Sequence, residues 1–158
     1  MRQTFDRRSV LGFAVGSAAG AALLASGKPT FAAAVTYKAT LNGSSEVGPT
    51  SSAGTGTATV TYDASTKMVT WQGTFAGLSG PATAAHIHGP AEVGKNAGVI
   101  VPFSQKDTPF ASPFSGSATL SDDKAAALAA ALTGGQAYVN IHTAAIPGGE
   151  IRGQLAKS

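Results

Sequence analysis

The chain has 158 residues, a formal net charge of +3, no cysteine and only 12% charged side chains, against about 25% in an average domain. The missing cysteine excludes disulfides, thiolate metal sites, cysteine nucleophiles and thiol redox pairs. The positive charge is confined to the start, where Arg2, Arg7, Arg8 and Lys28 outweigh Asp6; the remainder carries seven basic and seven acidic residues, leaving no basic stripe to neutralise phosphates and arguing against nucleic-acid binding.

Residues 1–34 read as a targeting segment. Arg2, Arg7 and Arg8 make a basic start, no charged side chain occurs from Ser9 to Gly27, and Ala32-Ala33-Ala34 offers an Ala-x-Ala-like cleavage site. The pair Arg7-Arg8 followed by Ser9-Val10-Leu11 resembles a twin-arginine signal, and Gly12, Gly16 and Gly20 keep the apolar run only weakly hydrophobic. The alternative is an uncleaved anchor, since about 18 apolar residues just span a bilayer. Cleavage would leave residues 35–158 as one domain, periplasmic or secreted, with no membrane span and large enough for a real core.

That remainder reads as strands. Val35 to Leu41 alternates apolar and polar; Asn42 to Thr55 is a Gly/Ser/Thr/Pro loop. Gly56–Tyr62 and Met68–Phe75 flank the turn Asp63-Ala64-Ser65-Thr66 and predict a hairpin. A strand over Ala84–His88 follows, then a loop from Gly89 to Gly98, a short strand at Val99–Phe103 and another at Phe114–Leu120. The period then changes: Ser121-Asp122-Asp123 supplies a helix start, Ala125–Leu132 a run of helix formers, and Gly134-Gly135 a stop. Strands over Ala137–His142 and Glu150–Leu155 end the chain. The fold class is therefore all-β, an antiparallel Greek-key sandwich or barrel with one short helix near residues 121–133. The expected core is Val60, Val69, Trp71, Phe75, Ile87, Val99, Leu120, Leu128, Val139, Ile141, Ile151 and Leu155.

All three histidines lie in two matched phrases, Ala84-Ala85-His86-Ile87-His88-Gly89-Pro90 and Tyr138-Val139-Asn140-Ile141-His142-Thr143. On strands, residues two apart share a face. His86 and His88 then point one way with Asn140 and His142, while Ala85, Ile87, Val139 and Ile141 claim the core side.

These phrases, with the ending Ala144-Ala145-Ile146-Pro147-Gly148-Gly149-Glu150-Ile151-Arg152-Gly153-Gln154-Leu155 and the preceding helix, closely resemble the CHRD domain, named after the repeats of chordin. One departure is Ile146, where the family usually has a polar residue before the proline. The resemblance implies an exported or extracellular module, mostly of unassigned function in bacterial members and part of a binding protein in chordin. A more distant likeness of pattern is to Cu,Zn superoxide dismutase, which sets a His-x-His strand, a distant histidine and a late Gly-x-x-Arg-like segment on a Greek-key barrel; fold does not carry function with it.

Imidazole nitrogen suits copper, zinc, nickel and iron, and in a chain without cysteine it is the leading ligand type. His86, His88 and His142, if their strands are neighbours, predict a three-nitrogen site for Cu or Zn with one open position, to be filled by Glu92, Glu150 or water. The alternative has His86 and His88 hydrogen-bonding the Gly89-Pro90 loop and backbone to hold the strand end in place. Asn140, Glu150 and Arg152 are candidates for orienting the histidines, with a loop-capping role for Asn140 and a surface Glu150–Arg152 ion pair as the competing readings. Catalysis finds little support: a dinuclear dismutase site needs more histidines, no Gly-x-Ser-x-Gly elbow occurs, and Asp122-Asp123 reads as a helix start. Two functions remain: an exported metal-binding protein, copper first, and a metal-free extracytoplasmic interaction module with an unknown envelope partner.

Overall fold

The computed structural model describes residues 33–48, 50–104 and 110–158; the targeting segment up to residue 32, including Arg7 and Arg8, lies outside the described residues. Among the described residues, eight strands and one α-helix follow the order expected, β1 Val35–Asn42, β2 Thr55–Asp63, β3 Met68–Ala76, β4 Ala82–His88, β5 Val99–Pro102, β6 Phe114–Thr119, α1 Asp122–Thr133, β7 Tyr138–Thr143 and β8 Ile151–Gln154, and a ninth, two-residue strand, β9 Ala156–Lys157, comes in addition. They form a single antiparallel sheet, curled into a half-barrel, with strand order β5-β4-β7-β8-β1-β2-β3-β6 and β9 also on β1. The β3–β4 and β5–β6 connections cross from one end of the sheet to the other, the long jumps expected of a Greek-key arrangement.

Strict alternation in β1, β2 and β3 sends Tyr37, Ala39, Leu41, Ala58, Val60, Tyr62, Val69 and Trp71 inward, all buried. From β4, β7 and β8 come Ala85, Ile87, Val139, Ile141 and Ile151, each without exposed surface. Trp71 stacks on Phe103 at 4.7 Å between ring centroids and closes the core beside Phe114. The helix adds Ala125, Leu128, Ala131 and Leu132. It is tied to the sheet by Tyr62 Oη donating to the Ala125 carbonyl and Lys124 Nζ donating to the Ile100 carbonyl. Its stop needs the left-handed backbone of Gly135, at φ +67°. The Ser121 hydroxyl makes no capping bond among the described residues; the acidic first turn is held instead by the Lys67–Asp122 ion pair.

Two residues of the expected core are displaced. Val99 is 45% exposed, because a bulge between Ile87 and His88 pairs Ile87 with Val101 and His88 with Val99. Val101 therefore takes the inward place, Ile100 packs beside it, and Val99 turns out with the histidine. Phe75, near the end of β3, is only half-buried and lies against Phe110 and Phe114 at the rim of the core. Among the described residues no helix is long and apolar enough to cross a membrane.

Candidate metal centre

Strands β4 and β7 are neighbours in antiparallel register, with His86 opposite Asn140, Ala84 opposite His142 and His88 opposite Tyr138. Since Ala85, Ile87, Val139 and Ile141 point into the core, the three histidines converge on the other face. Ring centroids lie 5.3 Å apart for His86–His88, 5.0 Å for His86–His142 and 6.1 Å for His88–His142. One nitrogen from each ring can be chosen so that all three lie within 4.8 Å of one another.

Hydrogen bonds fix the tautomers. A carbonyl oxygen only accepts, so His88 Nδ1 donates to the Ala97 carbonyl at 3.0 Å and His142 Nδ1 to the Pro147 carbonyl at 2.9 Å. In a neutral ring the lone pair is then on Nε2, which His142 turns to His86. His142 Nε2 accepts from His86 Nδ1 at 3.2 Å. His88 Nε2 is buried and has no partner among the described residues, an arrangement a native core rarely tolerates without a ligand or water. Burial is the main force lowering all three imidazole pKa values. His86 is pushed down to about 4, with His142 and His88 adding their repulsion. The Ala97 and Pro147 hydrogen bonds oppose the shift at His88 and His142. The rings are thus neutral at neutral pH, the form that ligates metal.

The face that carries them points away from the core yet is covered by loops. Arg152 is 1% exposed and spans the cover, donating to the carbonyls of Glu92 and Lys95, to Asn96 Oδ1 and to Gln154 Oε1. Its guanidinium lies 3.4 Å from the centroid of Tyr138, whose ring stacks on His88 at 4.9 Å and 6°. Tyr138 Oη in turn accepts from the Ala97 amide. Arg152 therefore acts on His88 twice removed, through the Tyr138 ring and through the 92–97 loop that supplies the Ala97 carbonyl.

The other expected partners sit elsewhere. Glu150 and Arg152 form no ion pair with each other, and neither is on the surface: Glu150 is fully buried, accepting from Ser52 Oγ, Ser79 N and Oγ, and Thr143 Oγ1. Burial would raise its pKa, but those hydrogen bonds win and hold it at about 2. A carboxylate so saturated has no oxygen to spare for the cluster. Asn140 donates to Glu46 Oε1, not to an imidazole, and its Oδ1 has no partner among the described residues. The Glu92 side chain is exposed and outside the histidine cluster. Tyr138 and the two carbonyls were not singled out from sequence; only Tyr138 had a legible signal, two residues before Asn140 on the same strand face.

The fold and site thus define an all-β module carrying a buried polar network around three imidazoles. Residues 37–155 match the model of the CHRD domain, and the chain belongs to that family. CHRD domains are typically modules of extracellular proteins. Comparison with curated proteins and with solved structures returns no match.

Proposed function

We propose that the protein is an exported metal-binding CHRD protein that holds one copper or zinc ion, copper first, on His86, His88 and His142. The observation that carries this reading is the unpartnered, buried Nε2 of His88 beside two further imidazoles, with every ligand nitrogen within 4.8 Å. The donor chemistry fits: three neutral nitrogens, two of them oriented by carbonyls, suit borderline metals. The metal would replace the His86–His142 hydrogen bond, and His86 would move its proton to Nε2 to free Nδ1. Neither Glu92 nor Glu150 is placed to complete the set, so the remaining position falls to solvent.

Titration of the purified protein with Cu(II) and Zn(II) tests the site. Wild type should bind one ion per chain, and His86→Ala, His88→Ala and His142→Ala should each weaken it strongly. Binding no tighter than in the triple alanine protein would remove the site and leave the interaction-module reading. Export rests on Arg7-Arg8 and the Ala32–Ala34 cleavage site. Replacing both arginines with lysine should trap precursor in the cytoplasmic fraction; unchanged export in cell fractionation would overturn the twin-arginine route.

A further inference from the structure

A second outward face, on β1, β2, β3 and β6, is built quite differently. Register aligns Thr36, Thr61, Thr70 and Ser117 in one cross-strand row. The next row is Lys38, Thr59, Gln72 and Ser115, and the third Thr40, Thr57 and Thr74. Apart from Lys38 and the Gln72 amide, every position carries a hydroxyl, and all are exposed or half-buried. Strand geometry spaces these groups about 4.8 Å across the sheet and about 6.8 Å along it. Three shallow depressions run together over this face. The largest, about 460 Å³, is lined by Thr57, Thr59, Gln72, Thr74 and Ser115 with Phe114 at its side. A second of about 310 Å³ shares Thr57 and Thr74 with it, and a third of about 280 Å³ shares Thr59 and Gln72.

We infer that this face is a docking track for a neutral, hydroxyl-rich polymer, a polysaccharide chain. A charged partner would meet one cation in three rows. An apolar partner would bury the hydroxyls without hydrogen bonds, at a cost of a few kcal/mol each. A glycan answers both features, because each threonine hydroxyl donates and accepts while its methyl meets the C–H surface of a sugar ring. The array is also pre-ordered. Threonine is stiff at χ1, and the cross-strand bonds Thr36–Thr61 at 3.0 Å and Thr57–Thr74 at 3.2 Å hold rotamers further, which reduces the entropy lost on binding. Shallow, connected depressions suit an extended chain better than an enclosed small molecule. The track uses none of the strands that carry the histidines, so it stands independently of the metal reading.

The test is depletion of the full chain from solution by cellulose, insoluble starch and mannan, in low salt and in about 1 M NaCl, where exposed charge effects are screened. At least one polysaccharide should retain the protein equally in both salts. The Thr57→Val/Thr59→Val/Thr74→Val protein keeps β-branched shape on an exposed face and should bind about tenfold more weakly or worse, as expected from a few lost hydrogen bonds. If that variant does not fold by circular dichroism, the single Thr74→Lys gives the same reading. The triple histidine-to-alanine protein should bind as wild type does. Retention by none of the three polysaccharides, loss of binding in high salt, undiminished binding by the hydroxyl-deleted variant, or parallel loss in the histidine variant each overturns the proposal.

Discussion

Ile141 and His142 are consecutive residues with opposite surroundings. Ile141 has no exposed surface and packs in the core, while His142 is half-buried on the other face and spends Nδ1 on the Pro147 carbonyl. Ile141→Ala should therefore cost about 2–5 kcal/mol, the transfer term plus a cavity in a close-packed site. His142→Ala removes no core volume, so its cost should be well below that of Ile141→Ala. Urea unfolding of the metal-free variants checks both; a near-zero cost at Ile141 would mean that the strand's faces are interchanged. The same residue scale shows how one side chain can organise several segments. Glu150 draws Ser52, Ser79 and Thr143 to a single carboxylate. Arg152 orders the 92–96 loop and presses Tyr138 onto His88. Both are charge-assisted arrangements whose strength comes from complete satisfaction of a buried ion, since a half-satisfied one would be costly.

At the level of elements, what sequence reveals is what local period determines. β1 to β4 and β7 alternate by two, so their inward residues and the shared face of His86, His88 and His142 follow from spacing alone. The helix follows from a run of alanine and leucine closed by Gly134-Gly135. The bulge does not: Ile100 is an extra residue of β5 opposite the Ile87–His88 step of β4, and it turns Val99 outward where simple alternation put it inside. Nor does the burial of Glu150 and Arg152 follow. An outward strand position is ordinarily a wet one, and a Glu-x-Arg pair there reads as a weak surface bridge. Here the loops after β1, β4 and β7 fold over that face, and the interactions that bring them down span many residues of sequence. Thr50 Oγ1, for instance, donates to the Glu150 carbonyl across the sheet. The three-histidine cluster and Arg152 were thus legible, while Tyr138 and the loop carbonyls that hold the rings were not.

Taken whole, the domain of residues 33–158 has one outward face roofed by loops and another left open among the described residues, and the roofed one makes its stability depend on pH. His86, His88 and His142 have folded pKa values below the ordinary 6.5, chiefly through burial. The unfolded chain therefore binds protons first, so their contribution is fully present above pH 6.5 and is lost as pH falls, for His86 through about 4. Glu150 acts lower: its contribution is present above the ordinary 4.5 and lost toward about 2. Glu46 has the opposite sign. Burial raises its pKa against the pull of Arg152 and the Asn140 hydrogen bond, so the folded state takes up its proton early and gains slightly as pH falls toward 4.5. Three histidines against one carboxylate leave a net loss of stability on acidification from about pH 7 to 4. Urea midpoints of the metal-free protein should fall across that window, and the triple histidine-to-alanine protein should lose most of the slope above pH 4.5 while keeping the drop below it. A midpoint flat from pH 7 to 4 in wild type, or an unchanged slope in the variant, would show that the imidazoles are solvated and not held neutral under the loops.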